Sequence, residues 1–213
     1  MLLVGSQNVH KLQEIRELLH DVPVVVVGSD ALPPGPDVEE DGETFSENVR
    51  IKALEYARRA AGLQGPERPR WVIADDSGLC VDALSGAPGV RSARYAGESC
   101  TYDDNNRKLL EALRGVPVER RSARFVCAIA CAEVRPGEAP AVVLEVQGDC
   151  DGRIAESPRG DGGFGYDPVF VDEVSGRTFA EMAPEEKNRL SHRGRALREF
   201  RGKFLALGGA RRS

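Results

Sequence analysis

The chain has 213 residues, 41% of them hydrophobic and 30% charged, a composition that allows a globular core without disulfides or a structural metal. Its net charge of −5, from 34 acidic and 29 basic residues, argues against a protein that binds nucleic acid mainly through electrostatics. The five cysteines and three histidines show no zinc-site spacing. Neither a signal peptide nor a membrane-spanning run is recognisable, so we expect a cytoplasmic protein with no membrane partner.

The first residues predict a strand, a polar loop and a helix. Residues 1–4 are the strand, and the apolar spacing over residues 12–19 predicts the helix, with Ser6 or Asn8 as its N-cap. A helix N-terminus reached in this way presents backbone N–H groups to an anion, together with Lys11. On this segment alone, an ordinary strand-to-helix turn is the favoured interpretation.

The next elements follow the same alternation. The β-branched run 24–27 predicts a strand buried on both faces. Residues 32–41 form a loop of Pro, Gly and acidic residues, and Thr44 to Glu47 form a capping box that opens a helix. Residues 71–74 predict a short strand that ends at Asp75. The buried stripe predicted for the helix is Phe45, Val49, Ala53, Tyr56 and Ala60.

The second half predicts one helix and several strands. Residues 103–114 form the helix, which Gly115 stops, and residues 124–134, 141–147 and 169–171 form strands. The inward positions predicted in these elements are Leu109, Leu110, Leu113, Cys127 and Cys131.

A last helix is predicted over residues 191–207, with Ser191 available as its cap and Gly208-Gly209 closing it. Its predicted buried stripe is Leu197, Phe200, Phe204 and Leu205. The chain is basic from Lys187 to Arg212, which a solvated tail explains as well as an anion site does. Because helices and strands interleave throughout, the sequence predicts a mixed-sheet α/β protein.

Acidic pairs are the first candidates for chemistry. Asp75-Asp76, predicted at a strand end, has the hard oxygen ligands that Mg²⁺ prefers, at the place where open α/β sheets bind ligands. An Asx turn with both acids in solvent is the alternative. Glu39-Glu40 would supply a second ligand from another element, or would belong to a solvated acidic loop.

Two further segments suggest recognition of a nucleotide. The glycine-dense loop 160–167 surrounds Phe164, whose ring offers a face to a planar base, although such hairpins also occur without ligands. Lys187 is a point charge for phosphate, and Arg193, beside His192, can donate to a purine O6 or to phosphate. A charged helix end is the alternative for these last three residues.

Taken together and in order, these segments resemble the inosine triphosphate pyrophosphatase family of purine nucleotide hydrolases. The match covers nearly the whole chain, through residues 6–11, 39–48, 52–53, 74–79, 81–84, 86–90, 92–95, 163–168, 186–188 and 191–194. The chain departs from the commonest family pattern at Ser6-Gln7, where Thr-Gly is more usual, and at Cys80, where an acid is frequent. None of these changes removes a group that the chemistry needs.

The resemblance implies Mg²⁺-dependent hydrolysis of non-standard purine nucleoside triphosphates, those of inosine, deoxyinosine and xanthosine, to the monophosphate and pyrophosphate. It implies a single domain over residues 1–213, an elongated mixed central sheet with flanking helices, and two lobes around a substrate cleft. A homodimer is expected, and no nucleic-acid partner. The alternatives are a non-catalytic nucleotide sensor that uses the same cleft and, more weakly, an RNA-binding protein that uses the basic C-terminal helix.

The resemblance also assigns residues. Asp76 would be the catalytic base and a metal ligand, with Glu39 as the second metal ligand and Glu40 its close rival. The residues expected to hold the triphosphate are Ser6, Gln7, Asn8, Val9, His10, Lys11, Ser77 and Lys187. Phe164, Gly165, Tyr166 and Asp167 would line the base pocket, and His192 and Arg193 would read the 6-oxo group.

Overall fold

The computed structural model describes residues 1–208 as an α/β protein. Strands β1 to β6 are Leu2–Val4, Val26–Val27, Trp71–Val81, Ser122–Glu133, Ala141–Ile154 and Phe170–Asp172. Helices α1 to α5 are Val9–Leu18, Phe45–Ala61, Tyr102–Ala112, Pro184–Leu190 and His192–Ala206. Short 3₁₀ turns are Ser29–Ala31, Gly65–Glu67, Asp82–Leu84, Gly89–Arg94, Val118–Arg120 and Phe179–Glu181. Gly209 and Arg212, named in the sequence predictions, lie outside the described residues.

The strands within residues 1–208 form one six-stranded sheet in the order β2-β1-β3-β4-β5-β6. β1 runs parallel to both β2 and β3, and β5 and β6 are antiparallel. The predicted mixed-sheet α/β class is therefore confirmed. No helix within residues 1–208 combines the length and the apolar character that crossing a bilayer requires.

The chain divides into two compact units. The first unit comprises Met1–Asp76, Ala128–Gln147 and the segment from Ala196 onwards, and the second comprises Ser77–Cys127 and Gly148–Arg195. Each has a hydrophobic core of its own. The predicted single domain with two lobes around a cleft stays a prediction.

In the first unit, helix α2 begins as predicted. The Thr44 hydroxyl oxygen accepts a hydrogen bond from the Glu47 N–H at 3.2 Å, and the Glu47 carboxylate accepts one from the Thr44 N–H at 3.0 Å. This reciprocal pair satisfies two donors that the helix start would otherwise leave unpaired. The predicted stripe Val49, Ala53, Tyr56 and Ala60 is buried, with Phe45 packed at its edge.

The prediction that residues 24–27 are a strand buried on both faces was wrong. β2 has only two residues, both partly exposed, and Val25 before it is 66% exposed. The reason is position, because β2 lies at the edge of the sheet and pairs with β1. A continuous β-branched run fits an edge strand as readily as an interior one.

The prediction that a strand ends at Asp75 was also wrong. β3 continues through Asp75-Asp76 to Val81, so the two acids lie within a long strand. Successive side chains of a strand point to opposite faces, so the two carboxylates do as well. Both are buried, Asp75 at 1% exposure and Asp76 at 7%. The alternative of a solvated Asx turn is therefore excluded too.

The C-terminal helical region contains one more helix than predicted. Residues 184–190 form α4, and Ser191 separates it from α5. The Ser191 hydroxyl accepts a hydrogen bond from the Gly194 N–H at 3.1 Å, which confirms its capping role. Leu197, Phe200 and Phe204 are buried, but Leu205 is 39% exposed. Adjacent helical residues differ by about 100° in direction, and Leu205 lies outside the face that Phe204 buries.

Other differences concern the ends of elements. β5 extends to Ile154, beyond the predicted residue 147, and α3 begins at Tyr102 with Thr101 as its N-cap. The predicted inward positions of β4 are confirmed, since Cys127 and Cys131 are both fully buried. Burial raises the pKa of the Cys131 thiol to about 12, which makes it an unreactive core residue.

Candidate active site

The first unit contains a carboxylate–lysine cluster formed by Asp75, Asp76, Lys11, Lys52 and Glu40. The Lys11 ammonium lies 3.0 Å from the Asp75 carboxylate. The Lys52 ammonium lies 2.9 Å from the Glu40 carboxylate and donates to the Asp75 backbone carbonyl at 3.3 Å. Strand β3 supplies the two aspartates, and the lysines come from α1 and α2.

Asp76 is the carboxylate whose surroundings suit proton transfer. Asn48 donates from its Nδ2 to Asp76 Oδ2 at 3.2 Å, and the Asn48 Oδ1 accepts from the Gly42 N–H at 2.8 Å, which fixes the amide. Burial raises the pKa of Asp76 above its ordinary value, Lys52 and Lys11 oppose that rise, and the Glu40 charge adds to it. A carboxylate with a raised pKa is a better general base near neutral pH.

Lys52 and Asn48 are site residues to which the sequence reasoning gave no role. They are four residues apart on α2, so they share one face of the helix. Burial alone would lower the pKa of Lys52, but the charges of Glu40, Asp75 and Asp76 outweigh it and the pKa is raised. Lys52 is therefore a firmly charged cation beside Asp76. The signal available in the sequence was the four-residue spacing of Asn48 and Lys52, which puts two polar side chains side by side on the predicted helix.

The structure separates the two candidate glutamates. Glu40 is half-buried, is paired with Lys52 and acts electrostatically on Asp76. Glu39 is exposed. The geometry favours Glu40 as the acid that acts together with Asp76.

The predicted phosphate loop is held by its own cap. The Asn8 side chain accepts hydrogen bonds from the His10 and Lys11 N–H groups at 3.0 and 3.2 Å, and the Ser6 hydroxyl accepts from the Asn8 N–H at 3.2 Å. An incoming phosphate would compete with Asn8 for these donors. Three residues of this loop have exposed side chains, namely Gln7, Val9 and His10. The Gln7 side chain donates a hydrogen bond to Asp37 at 2.7 Å.

The second unit contains an aromatic–cation cluster formed by Phe164, Asp167, Lys187 and Arg193. The Lys187 ammonium lies 2.7 Å from Asp167 Oδ2, and both side chains are nearly inaccessible. The same ammonium lies 4.6 Å from the centre of the Phe164 ring, and the Arg193 guanidinium carbon lies 5.6 Å from it. Both separations are within cation–π range.

The glycine-rich loop folds around Asp167. Its Oδ2 also accepts a hydrogen bond from the Phe164 N–H at 2.8 Å. Gly163 has a φ of +72°, and a Cβ there would lie 2.1 Å from Asp167 Oδ2, so only glycine fits. The buried Tyr166 hydroxyl donates to the Ser92 carbonyl at 2.9 Å. Hydrogen bonds from Phe164 to Asp167 and from Tyr166 to Ser92 therefore fix the conformation of the loop that carries Phe164.

Arg193 and His192 begin helix α5 and are both buried, at 2% and 4% exposure. Arg193 donates from Nη2 to the Ser77 hydroxyl at 3.2 Å. The His192 ring stacks on Phe125 with 4.5 Å between ring centres and 10° between planes. Of the residues predicted for the base site, Phe164, Asp167 and Arg193 lie together in the second unit, whereas His192 packs against Phe125.

Comparison with known proteins decides the relationship. The model of the Ham1 family matches residues 2–203. The chain belongs to the Ham1 family. It is 51% identical over 196 residues to a protein of Geobacillus kaustophilus named dITP/XTP pyrophosphatase, covering 92% of this chain and 90% of the relative. A protein of the same name from Xanthomonas oryzae is 48% identical over 206 residues, with 97% and 98% of the two chains covered.

Solved structures agree. The Ham1 protein of Coxiella burnetii has a TM-score of 0.80 and 40% identity, covering 96% of this chain and 98% of that one. The Mycobacterium abscessus protein titled nucleoside-triphosphatase / dITP/XTP pyrophosphatase has a TM-score of 0.71 and 41% identity, with 93% and 97% covered. The fold described above is thus that of solved Ham1 proteins.

Asp76 and Glu40 are the acids of the cluster that could hold a magnesium ion. Among residues 1–208, no group of three or more His, Cys, Asp or Glu side chains is arranged to hold a metal. Mg²⁺ commonly binds through one or two carboxylates, several waters and substrate phosphates, with no complete protein cage. Asp76 and Glu40 are two such carboxylates, and the charge of Glu40 acts on Asp76.

Proposed function

We propose that this chain hydrolyses non-standard purine nucleoside triphosphates, those of inosine, deoxyinosine and xanthosine, to the monophosphate and pyrophosphate with the help of Mg²⁺. The observation that carries the proposal is the buried Asp76, held by Asn48 and surrounded by Lys11, Lys52 and Glu40. Membership of the Ham1 family and the names of its relatives support the same activity.

In the proposed reaction, the oxygen of a water molecule bonds to the α-phosphorus while the bond from that phosphorus to the α–β bridging oxygen breaks. Pyrophosphate leaves with the electron pair of that bond, and the water proton passes to the Asp76 carboxylate. Asn48 keeps that carboxylate in one orientation. Lys11 and Lys52 provide positive charge beside it, which offsets part of the negative charge of the carboxylates and of a polyphosphate.

Asp76 and Glu40 would hold the magnesium ion. When bound, it supplies neutralisation of negative charge on the phosphate oxygens. Without it, the cluster has only two lysines to offset the carboxylates and a triphosphate, so we expect turnover to require the metal.

The second unit is proposed to bind the base, with Phe164 as the ring on which the purine stacks. Arg193 would donate to the 6-oxo group, which accepts hydrogen bonds, whereas the 6-amino group of adenine donates them. If adenine bound, its 6-amino group would face the buried Arg193 donor and leave that donor unpaired. This loss weakens binding by about 1–3 kcal/mol, or roughly tenfold to hundredfold in selectivity. Lys187 remains a proposed phosphate ligand, although its observed partner is Asp167.

The proposal also includes an oligomeric state and a cellular location. We expect a homodimer, which light scattering after gel filtration would test through the molecular mass. We also expect a cytoplasmic location, because all five cysteines are free thiols, as is usual in a reducing compartment. Fractionation of the source cells would test it.

The decisive experiment incubates the purified chain with inosine triphosphate and Mg²⁺ in water labelled with heavy oxygen. The expected products are labelled inosine monophosphate and unlabelled pyrophosphate. Release of orthophosphate with a nucleoside diphosphate would refute α–β cleavage, and label in the pyrophosphate would refute attack at the α-phosphorus. Tight binding without turnover would instead support a nucleotide sensor.

A further inference from the structure

Helix α3 meets the glycine-rich loop through two residues of one helical face. Tyr102 and Asn106 are four positions apart, and such residues lie side by side on a helix. The Asn106 side chain donates to the Gly165 carbonyl at 2.9 Å. The Tyr102 ring lies 6.1 Å from the Phe164 ring, centre to centre, with 43° between the planes. The first turns of α3 therefore hold the loop and place a second aromatic ring beside Phe164.

Tyr102 is conspicuous for its exposure. It is the first residue of α3, directly after the N-cap Thr101, and it is 43% exposed. Its neighbour Phe164 is half-buried. Two adjacent rings that both remain accessible to solvent are an available surface for a flat ligand. Asn106, by contrast, is 5% exposed and fixes the backbone on which Phe164 sits.

We propose that Tyr102 is the second aromatic wall of the purine site, so that the bound base lies between Tyr102 and Phe164. This inference rests on the proposed role of Phe164 as a base-stacking residue. Two stacking contacts of about 3.5 Å each require ring centres about 7 Å apart. The observed 6.1 Å must therefore widen by about 1 Å, and the tilt must decrease. A side chain at the accessible start of a helix can make that adjustment without disturbing the core.

A residue that stacks on the base and a residue that hydrogen-bonds to it differ in their expected effect on base selectivity. Every purine has the same kind of π-face, so stacking raises affinity without choosing between bases. Loss of Tyr102 should weaken all purine nucleotides by the same factor. The ratio between inosine and adenosine triphosphates, which is proposed to depend on Arg193, should stay unchanged.

The test compares Tyr102→Ala, Tyr102→Phe and a matched control, Asp103→Ala, which removes an exposed side chain from the same helical turn. Tyr102→Ala should raise KM for inosine and deoxyinosine triphosphates, and the inhibition constant of inosine monophosphate, between about fivefold and about thirtyfold. The inhibition constant of inorganic tripolyphosphate, which has no base, should not change. Tyr102→Phe and the control should behave like the parent chain.

Phe164→Ala, measured in parallel, tests the proposed base site separately from the role of Tyr102. If Phe164→Ala raises these constants and Tyr102→Ala does not, the second wall is refuted while the proposed base site stands. If neither does, the base site itself is misplaced, and the second wall is refuted with it. An equal rise in the tripolyphosphate constant of Tyr102→Ala would indicate general distortion and would also overturn the inference.

Discussion

Asp75 and Asp76 are adjacent carboxylates on opposite faces of β3, and replacing each by asparagine should have opposite consequences. Asp76→Asn should remove turnover and leave the folded state at least as stable as the parent. Asp75→Asn should lower stability. The two substitutions change the same atoms at neighbouring positions, so each serves as the control for the other.

The magnitudes follow from the partners of each carboxylate. General base catalysis contributes about 10²–10⁴-fold, so Asp76→Asn should lower kcat at least about hundredfold. Because burial raises the pKa of Asp76, its ionised form is disfavoured in the folded state, and that cost applies at pH values above the raised pKa. A neutral amide avoids the cost and can keep the hydrogen bond with Asn48. Its stability at pH 7 without metal should therefore equal or exceed that of the parent chain.

Asp75→Asn breaks the 3.0 Å ion pair with Lys11. Removing one partner of a fully buried pair costs about 3–5 kcal/mol. The Lys11 side chain is 16% exposed, so water can solvate part of its charge, and we expect a loss of about 2 kcal/mol. For a chain of this length that corresponds to a melting temperature lower by about 4–8 °C.

The assay has two parts. Thermal unfolding, followed by circular dichroism at pH 7 in the presence of a chelator, gives stability without metal. Release of pyrophosphate from inosine triphosphate at saturating Mg²⁺ gives kcat. Retention of more than about a hundredth of the parent kcat by Asp76→Asn would contradict its role in the proton transfer. A melting temperature of Asp75→Asn equal to that of the parent would show that the Lys11 pair contributes nothing to stability.

The remaining predictions use the same activity assay. Glu40→Gln should raise the Mg²⁺ concentration for half-maximal rate about tenfold or more, whereas Glu39→Gln should change it less than about twofold; equal effects would contradict the assignment of Glu40. Gly163→Ala should raise KM for inosine triphosphate more than about tenfold, because its Cβ would meet Asp167 Oδ2 at 2.1 Å, and an unchanged KM would show that the loop tolerates the shift. Arg193→Lys keeps the charge but not the planar donor fork, and should lower the ratio of inosine to adenosine triphosphate hydrolysis about tenfold; a constant ratio would exclude base reading by Arg193.

The parts of the fold that depend on local chemistry were predictable from sequence. The capping box at Thr44 and the apolar stripe of α2 are set by residues within a few positions of one another, and both were found as predicted. Ser191 is a similar case, since its hydroxyl caps the helix that follows it. Such signals need no knowledge of the distant chain.

The course of β3 was not predictable in this way. Two adjacent acids suggest a strand end, because unpaired buried carboxylates are costly. The strand continues because Lys11 and Asn48, from two other elements, meet Asp75 and Asp76 on its two faces. Long-range partners of this kind are invisible to a local pattern. The same reasoning explains why Lys52 was missed as a site residue.

The position of Lys187 changes the meaning of a residue that the sequence offered as a phosphate ligand. Asp167 Oδ2 accepts from both the Lys187 ammonium and the Phe164 N–H, so the lysine neutralises the carboxylate that sets the Phe164 backbone. Both partners are buried, and removing the cation from a buried carboxylate strongly lowers the stability of the folded protein. Lys187 therefore has a structural task in the base loop whatever it contributes to phosphate. The family motif singles out Lys187 as a residue of the site, and its contact with Asp167 shows that it supports the loop that carries Phe164.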